Sequence, residues 1–292
     1  MSQILGFLFV CVLIAIGLVA TGAEGVLAAL PFELALIGGA ALGTLLIGNS
    51  GDVTRGALAG LGHAVRGSRW KSQDYADLLG VLSEVCRRVR RGGHIAIESD
   101  LDAPDTSGLF QSAPQLQSDA AARDLICDAL RLCALDPSNP ERAIEQMDRS
   151  IEQTVSQRMR SVAALQTIAD ALPALGIIAA VLGIIKTMTA IDAPSATVGA
   201  MVASALLGTF LGVFLSYGLV GPLANRFGQV VEEESAVLEV IRTHLTQHMS
   251  GASPQAAMDV ARACIPKHVQ PDFKALEMAS QKLRFSSPAK AA

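Results

Sequence analysis

Few side chains in the most apolar parts of this chain are suited to chemistry. Thr209 lies between Gly208 and Gly212 in ALLGTFLGVFLSYGLVGP, 205–222. Its hydroxyl either bonds its own helix backbone or faces a wet path. Pro173 and Pro222 each remove one backbone hydrogen bond and weaken the turn before them, which frees the carbonyls near Ala169 and Gly218. In a membrane such carbonyls must be met by protein or by water in a cavity. Prolines are common in spanning helices, so one alone carries little. Two at matching depth in adjacent spans favour function. No Asp, Glu or His is expected well inside an apolar run: Glu24 and Glu33 flank one loop, and Asp170 and Asp192 sit at edges. Proton and sodium relays normally need an intramembrane acid. If this protein moves ions, a partner brings that acid.

Charge is concentrated elsewhere, in CRRVRRGG at 86–93, which carries Arg87, Arg88, Arg90 and Arg91, with Glu98 just beyond. Such a run is either a solvated helix face or a surface for an acidic partner. A positive-inside anchor fits less well, because the cluster lies about 40 residues past the second apolar run, beyond the roughly 15 to 20 over which that rule acts. The five cysteines have no metal-ligand spacing and read as reduced packing residues. His63 and His94 are expected to be exposed. No nucleophile, metal cluster or phosphate loop stands out, which argues against an enzyme. A net charge of −4 gives no reason to expect nucleic acid.

The elements that must position these residues are helical. The chain has 292 residues, 51% of them hydrophobic, and a positive mean hydropathy. Four runs carry the excess, 4–20, 31–48, 171–190 and 198–220, each close to the roughly 20 residues that cross a bilayer. The first lacks the positive flank of a signal peptide, since no Lys or Arg precedes Arg55. The connections at 21–30 and 191–197 contain no Lys or Arg, whereas 14 of the 23 lie between Arg55 and Arg160 and eight lie beyond Pro222. Both termini and the middle segment are therefore expected in the cytoplasm, with Lys186 snorkelling to the outer headgroups.

Helical periodicity at Tyr75, Leu78, Leu79, Leu82, Val85, Cys86 and Val89 predicts a helix over 74–91, ended by Gly92-Gly93. Further helices are expected at 94–100, at 119–135, and from Pro140 into the third span. The last would be roughly 75 Å long over 140–190. Residues 103–118 read as a loop, 225–249 as a helical extension followed by a short helix at Ser253-Pro254, and the tail from 284 as frayed. The Gly39-x-x-x-Gly43 spacing suits packing within a bundle. The chain is thus expected to be an all-α integral membrane protein. It would have spans one and two in 1–50, a cytoplasmic helical domain in 51–168, spans three and four in 169–222, and a cytoplasmic helical tail in 223–292.

LPALGIIAAVLGIIKTM (172–188) and ALLGTFLGVFLSYGLVGPLA (205–224) resemble the third and fourth spans of the MotA family, the larger stator subunits of the bacterial flagellar motor. That family lies within the MotA/TolQ/ExbB superfamily. The resemblance implies a ring of chains, a pentamer, around a MotB dimer in the cell inner membrane, each MotB supplying an essential Asp. Proton flow would turn the ring against the rotor protein FliG. The family's coupling prolines fall on Pro173 and Pro222, and its pore-lining threonine on Thr209. Its rotor-facing Arg and Glu fall on Arg90 and Glu98, beside Arg87 and Arg91. Ala180 stands where sodium-driven relatives carry Thr, so the implied ion is H+, with no cofactor. The alternative within the superfamily is an ExbB or TolQ subunit energising an outer-membrane system, which four spans argue against. A secondary transporter would need inverted repeats and discontinuous helices, and neither is evident.

Overall fold

The computed structural model describes residues 2–20 and 29–286. Among them there is no strand. The helices run in order as α1 (Ser2–Ala20), α2 (Leu30–Gly48), α3 (Gly51–Arg66), α4 (Ser72–Gly92), a 3-10 turn (His94–Ile97), α5 (Glu98–Asp102), α6 (Gly108–Gln111), α7 (Pro114–Ser118) and α8 (Ala120–Leu135). They continue as α9 (Glu141–Met188), α10 (Ser195–Val213), a π-helical segment (Phe214–Val220), α11 (Gly221–Met249), α12 (Pro254–Ala263) and α13 (Phe273–Ser286). Three helical stretches, Leu30–Gly48, Glu141–Met188 and Ser195–Met249, are long and apolar enough to cross a membrane, whereas the first helix contributes a shorter apolar piece, Leu5–Gly17. Most of the 21–30 connection and the tail beyond 286 lie outside the described residues.

The chain forms two compact units, Met1–Gly67 with Gln157–Val230, and Ser68–Ser156 with Val231–Ala292. In the first, α2 buries a stripe recurring every fourth residue, Glu33, Ile37, Ala41 and Leu45. This is the spacing of one helix face. Ile37 and Ala41 pack with Leu172 and Ala179 of α9 and with Leu207 and Leu211 of α10. Outside this core, Ile177, Ile178, Leu182, Ile185 and Leu206 are exposed, an apolar exterior suited to lipid or to other subunits.

Small residues bring α9 and α10 into backbone contact. A Cβ added to Gly176 would lie 2.7 Å from the Gly208 carbonyl oxygen and 2.9 Å from Gly212 Cα, and one on Gly212 would lie 2.7 Å from the Leu172 oxygen. A Cβ on Gly183 would lie 2.6 Å from that of Ala205. The glycines expected to pack α2 behave differently: nothing lies within 4 Å of a Cβ built on Gly39 or Gly43. α2 instead uses its larger Ile37 face.

α3 has no counterpart in the sequence reading. Phe227 sits on Gly60, where a Cβ would strike its ring, and His63 meets the same ring edge-on at 6.5 Å. His63 is therefore half-buried rather than exposed.

The second unit is built on α4, which buries Tyr75, Leu78, Leu79, Leu82, Val85 and Cys86, as its periodicity predicts. Gly93 at φ +69° ends it, a backbone state open to glycine at little strain. α13 lies along α4. The core also takes Met147 and Ile151 from α9 and Val237, Val240, Ile241 and Leu245 from α11. The segment 103–118 is not a plain loop. Ser107 caps α6 by accepting from the Leu109 N–H, and Leu109, Phe110, Ala113 and Leu116 are all buried. Asp119 caps α8 and also accepts from the Trp70 indole N–H at 3.2 Å.

The glycine contact gives a direct test. Gly176→Val forces α9 and α10 apart and should cost about 1–3 kcal/mol, read as a lower melting temperature of the purified protein in detergent. Gly39→Val, with open space around it, should melt close to the parent.

Candidate functional site

In the first unit, the positions singled out for ion passage cluster around the α9–α10 contact. α9 continues through Pro173 without ending, which leaves the carbonyl of Ala169 without its helical donor. Ala169 is buried, 2% exposed, and its Cβ lies 3.9 Å from where a Cβ on Gly221 would stand. Gly221 closes the π-helical segment: its N–H donates to the carbonyl of Ser216, five residues back. Pro222 follows at once. The two prolines thus loosen neighbouring turns, one by a missing donor and the other through the π-helical bonding before it. π-helical segments of this kind recur at functional sites.

Ala180 is 7% exposed, and its N–H nitrogen lies 3.2 Å from a Cβ built on Gly208. Thr209 is next along α10 and half-buried. Thr44, Thr154, Thr167 and Thr187 all donate to a carbonyl three or four residues back. Thr209 makes no such bond among the described residues, so the reading in which its hydroxyl caps its own backbone is not the one the structure adopts.

Glu33 stands in the first turn of α2, beside the loop as the sequence reading has it, but its burial was not anticipated. It is 5% exposed, and its Oε2 lies 3.1 Å from where a Cβ on Gly208 would be. The missed signal was its spacing, four residues before Ile37 and on the same buried stripe.

In the second unit, the basic run ends α4. Arg87 pairs with Glu84 at 2.7 Å. Arg88 pairs with Glu84 at 3.1 Å and with Asp100 at 2.9 Å, and Asp100 also accepts from the Ser107 hydroxyl at 2.7 Å. Glu84 is 5% exposed, so these arginines balance a buried carboxylate. Arg90 donates to the carbonyls of Gly251, at 2.9 Å, and Ala252, tying down the turn before α12. Arg91 and Glu98 are exposed, and their side chains make no hydrogen bond or ion pair among the described residues. Glu98 borders a cavity of about 370 Å³ with His94, Ile95, Asp102, Arg131 and Leu135.

Burial pushes the thiols of Cys86 and Cys127 up, to about 12 and about 11, which keeps them as thiols without reactivity. Cys133 is buried as well, whereas Cys264 is exposed.

The sequence extends these findings. Residues 4–93 match the Motility protein A N-terminal family, and 117–240 match the MotA/TolQ/ExbB proton channel family. The chain is 34% identical over 279 residues to Motility protein A of Salmonella typhimurium, covering 95% of this chain and 94% of the relative. The chain belongs to the motility protein A family. Identity is also 34%, with the same coverage, to Motility protein A of Escherichia coli. It is 32% to the chemotaxis protein LafT of Vibrio parahaemolyticus, over 85% of this chain and 87% of the relative. Among solved structures, a chain of the C. jejuni MotAB structure superposes with TM-score 0.71 at 19% identity, covering 91% of this chain and 96% of that one. A chain of the Bacillus subtilis flagellar MotAB stator complex gives 0.65 at 18%, covering 97% and 98%. These likenesses show the shared fold.

A second buried group, in the other unit, was also missed in the sequence. His244 of α11, well past the apolar run that ends at Val220, is fully buried, and its ring nitrogens lack hydrogen bonds of normal geometry. Burial first, and the nearby His248 second, push its pKa down to about 3. The unfolded chain takes up a proton near pH 6.5 and the folded chain does not. The contribution of His244 to stability is therefore complete above about pH 6.5 and falls by about 1.4 kcal/mol per pH unit as the solution acidifies below that. His244→Leu should flatten this part of the melting-temperature profile, measured from neutral to mildly acidic pH, with little change at neutrality.

Proposed function

We propose that this chain is the stator subunit of the bacterial flagellar motor that, with MotB, forms a proton-conducting complex and converts the proton motive force into torque on FliG. Its relation to Motility protein A along 95% of its length carries the reading. The relatives that cover the chain end to end are motility proteins, which favours the motor over an ExbB or TolQ role. On this reading the chain has four spans in the inner membrane, with both termini and the charged helical domain in the cytoplasm. Five copies surround a MotB dimer, and the essential carboxylate comes from MotB.

The parts take distinct roles. Backbone contact at Gly176 and Gly212 lets α9 and α10 form a thin wall, and the unbonded hydroxyl of Thr209 is free to meet water or the partner's carboxylate. Pro173 and Pro222 are where that wall bends when the carboxylate changes charge. Ala180 offers a methyl group where a sodium path needs another oxygen, so H+ is the transported ion and no cofactor takes part. Glu98, with Arg91, Arg90 and Arg87 nearby, faces the rotor.

Expressed with its MotB in a bacterium lacking its own stator, the chain should restore swimming. That swimming should stop on addition of a protonophore and be indifferent to removal of sodium; sodium-dependent swimming would overturn the assignment of the ion. Glu98→Lys should shrink swarm expansion sharply with membrane levels unchanged, and Glu98→Gln should shrink it less. Full motility of the Lys variant would remove Glu98 from the rotor surface.

A further inference from the structure

Basic side chains from three elements converge on the end of α11. His248 stands in the last turn of that helix and is half-buried. Its Nδ1, and that of His94 in the 3-10 turn after α4, are buried without a hydrogen-bond partner among the described residues. Both histidines line one cavity of about 180 Å³, walled otherwise by Cys133 of α8 and by apolar side chains that include Leu130 and Met249. Among the described residues no carboxylate lines it. The titratable and charged groups that face His248 are Arg90 from α4, His94, Cys133 and, one turn back on α11, His244. His94 also borders the 370 Å³ cavity, where Glu98, Asp102 and Arg131 stand.

Arg90 holds the turn to which His248 belongs. The Gly251 N–H donates to the His248 carbonyl at 3.0 Å, and the Ala252 N–H to the Gln247 carbonyl at 2.9 Å. Gly251, at φ +83°, lets the chain turn sharply out of α11. Arg90 then donates to the carbonyls of Gly251 and Ala252. The guanidinium that clasps the turn is therefore the charge that His248 meets on gaining a proton. A second cation beside it, in a largely apolar pocket with no acid on its wall, is costly. Burial first, then Arg90 and His94, push the His248 pKa below its ordinary 6.5. The negative end of α11 favours a cation there, and burial with two basic neighbours outweighs it. Turning the ring out to water removes the cost, and because His248 is part of the clasped turn, that movement loosens residues 248–252.

We propose that His248, with Arg90 and the cavity it shares with His94, is a proton-triggered latch: in mild acid His248 is protonated, turns out to solvent and frees Arg90 from the turn before α12. The proton comes from hydronium and forms an N–H bond on the ring, leaving water. The closed turn holds a neutral imidazole and the open turn an ordinary one. The open population is therefore constant above about pH 6.5 and rises by up to about tenfold per pH unit below it. The latch goes beyond the stator reading and stands without it. Its consequence rests on that reading: the freed Arg90 joins Arg91 and Glu98 on the rotor-facing surface, so an acidified cytoplasm changes the donors that this surface presents.

The test follows hydrogen exchange by mass spectrometry in the purified full chain in detergent, from about pH 8 to about pH 5.5, with rates corrected for the intrinsic pH dependence of exchange. Amides of residues 250–252 should lose protection by up to about tenfold per pH unit below about pH 6.5, at pH values where the α4 core amides at 78–85 are still protected. His248→Leu should keep the turn closed across the range. His94→Gln, which removes one group opposing the proton, should move the onset to lower pH. Protection of the parent turn that ignores pH would overturn the latch, and so would a His248→Leu profile that matches the parent. Loss in step with the α4 core would assign the change to unfolding of the whole unit and overturn it too. If His248→Leu fails to fold, an unmoved onset in His94→Gln overturns the latch. Each of these results leaves the stator reading standing, since that reading is decided by restored swimming.

Discussion

Everything in the membrane-facing unit depends on two helices touching through their backbones. Apolar side chains gain little by packing on one another in lipid, because the tails are equally apolar. Close approach of small residues replaces that driving force with dispersion contacts. Gly176 against Gly212, and Gly183 against Ala205, leave no room for even one methyl group. The contact fixes the depth of α10 against α9, and with it the position of everything carried on either helix. Thr209, Ala180 and the two loosened turns at Pro173 and Pro222 are placed by it.

The same contact explains how a carboxylate is tolerated within this unit. Glu33 continues the stripe of Ile37, Ala41 and Leu45, so the packing that buries those three must bury it as well. Gly208 leaves the space it occupies, and a cavity of about 330 Å³ lies on the other side. An acid at the end of a packing stripe is easily taken for a flank. Here the depth of α2 against α10 decides otherwise.

Sequence patterns carry some of these features and not others. The apolar runs declare α2, α9 and α10 because a membrane-length hydrophobic stretch is a strong signal, and the α4 core face follows from its 3.6-residue period. Glycine spacing does not say which neighbour a glycine meets: Gly39 and Gly43 have the same four-residue separation as Gly208 and Gly212, yet face open space. α6 and α7 are too short to show a period, so the burial of Phe110 and Leu116 depends on partners distant in sequence. His244 looks like any polar residue of an amphipathic helix until α4 is laid beside it. At the charged end of α4, the residue types were legible but the pairing was not, since Glu84 precedes the run by only three residues and could equally have faced solvent.

That pairing bears on how a stepping motor can use charge. A contact that must form and break at every step has to be weak, and exposed ion pairs are, at about 0–1 kcal/mol. Arg87 and Arg88 are unsuited to such work, because releasing them would leave the carboxylate of Glu84 buried and unpaired, a state that costs several kcal/mol. Arg90 is intermediate: exposed, but holding two carbonyls of the turn before α12. It can meet a partner only by sharing its guanidinium or letting that turn go. Glu98 and Arg91 carry no such obligation. Of the charges gathered here, they are the two whose engagement with a rotor would leave nothing in this chain unsatisfied, which is what recommends Glu98 over its neighbours for the rotor contact proposed above.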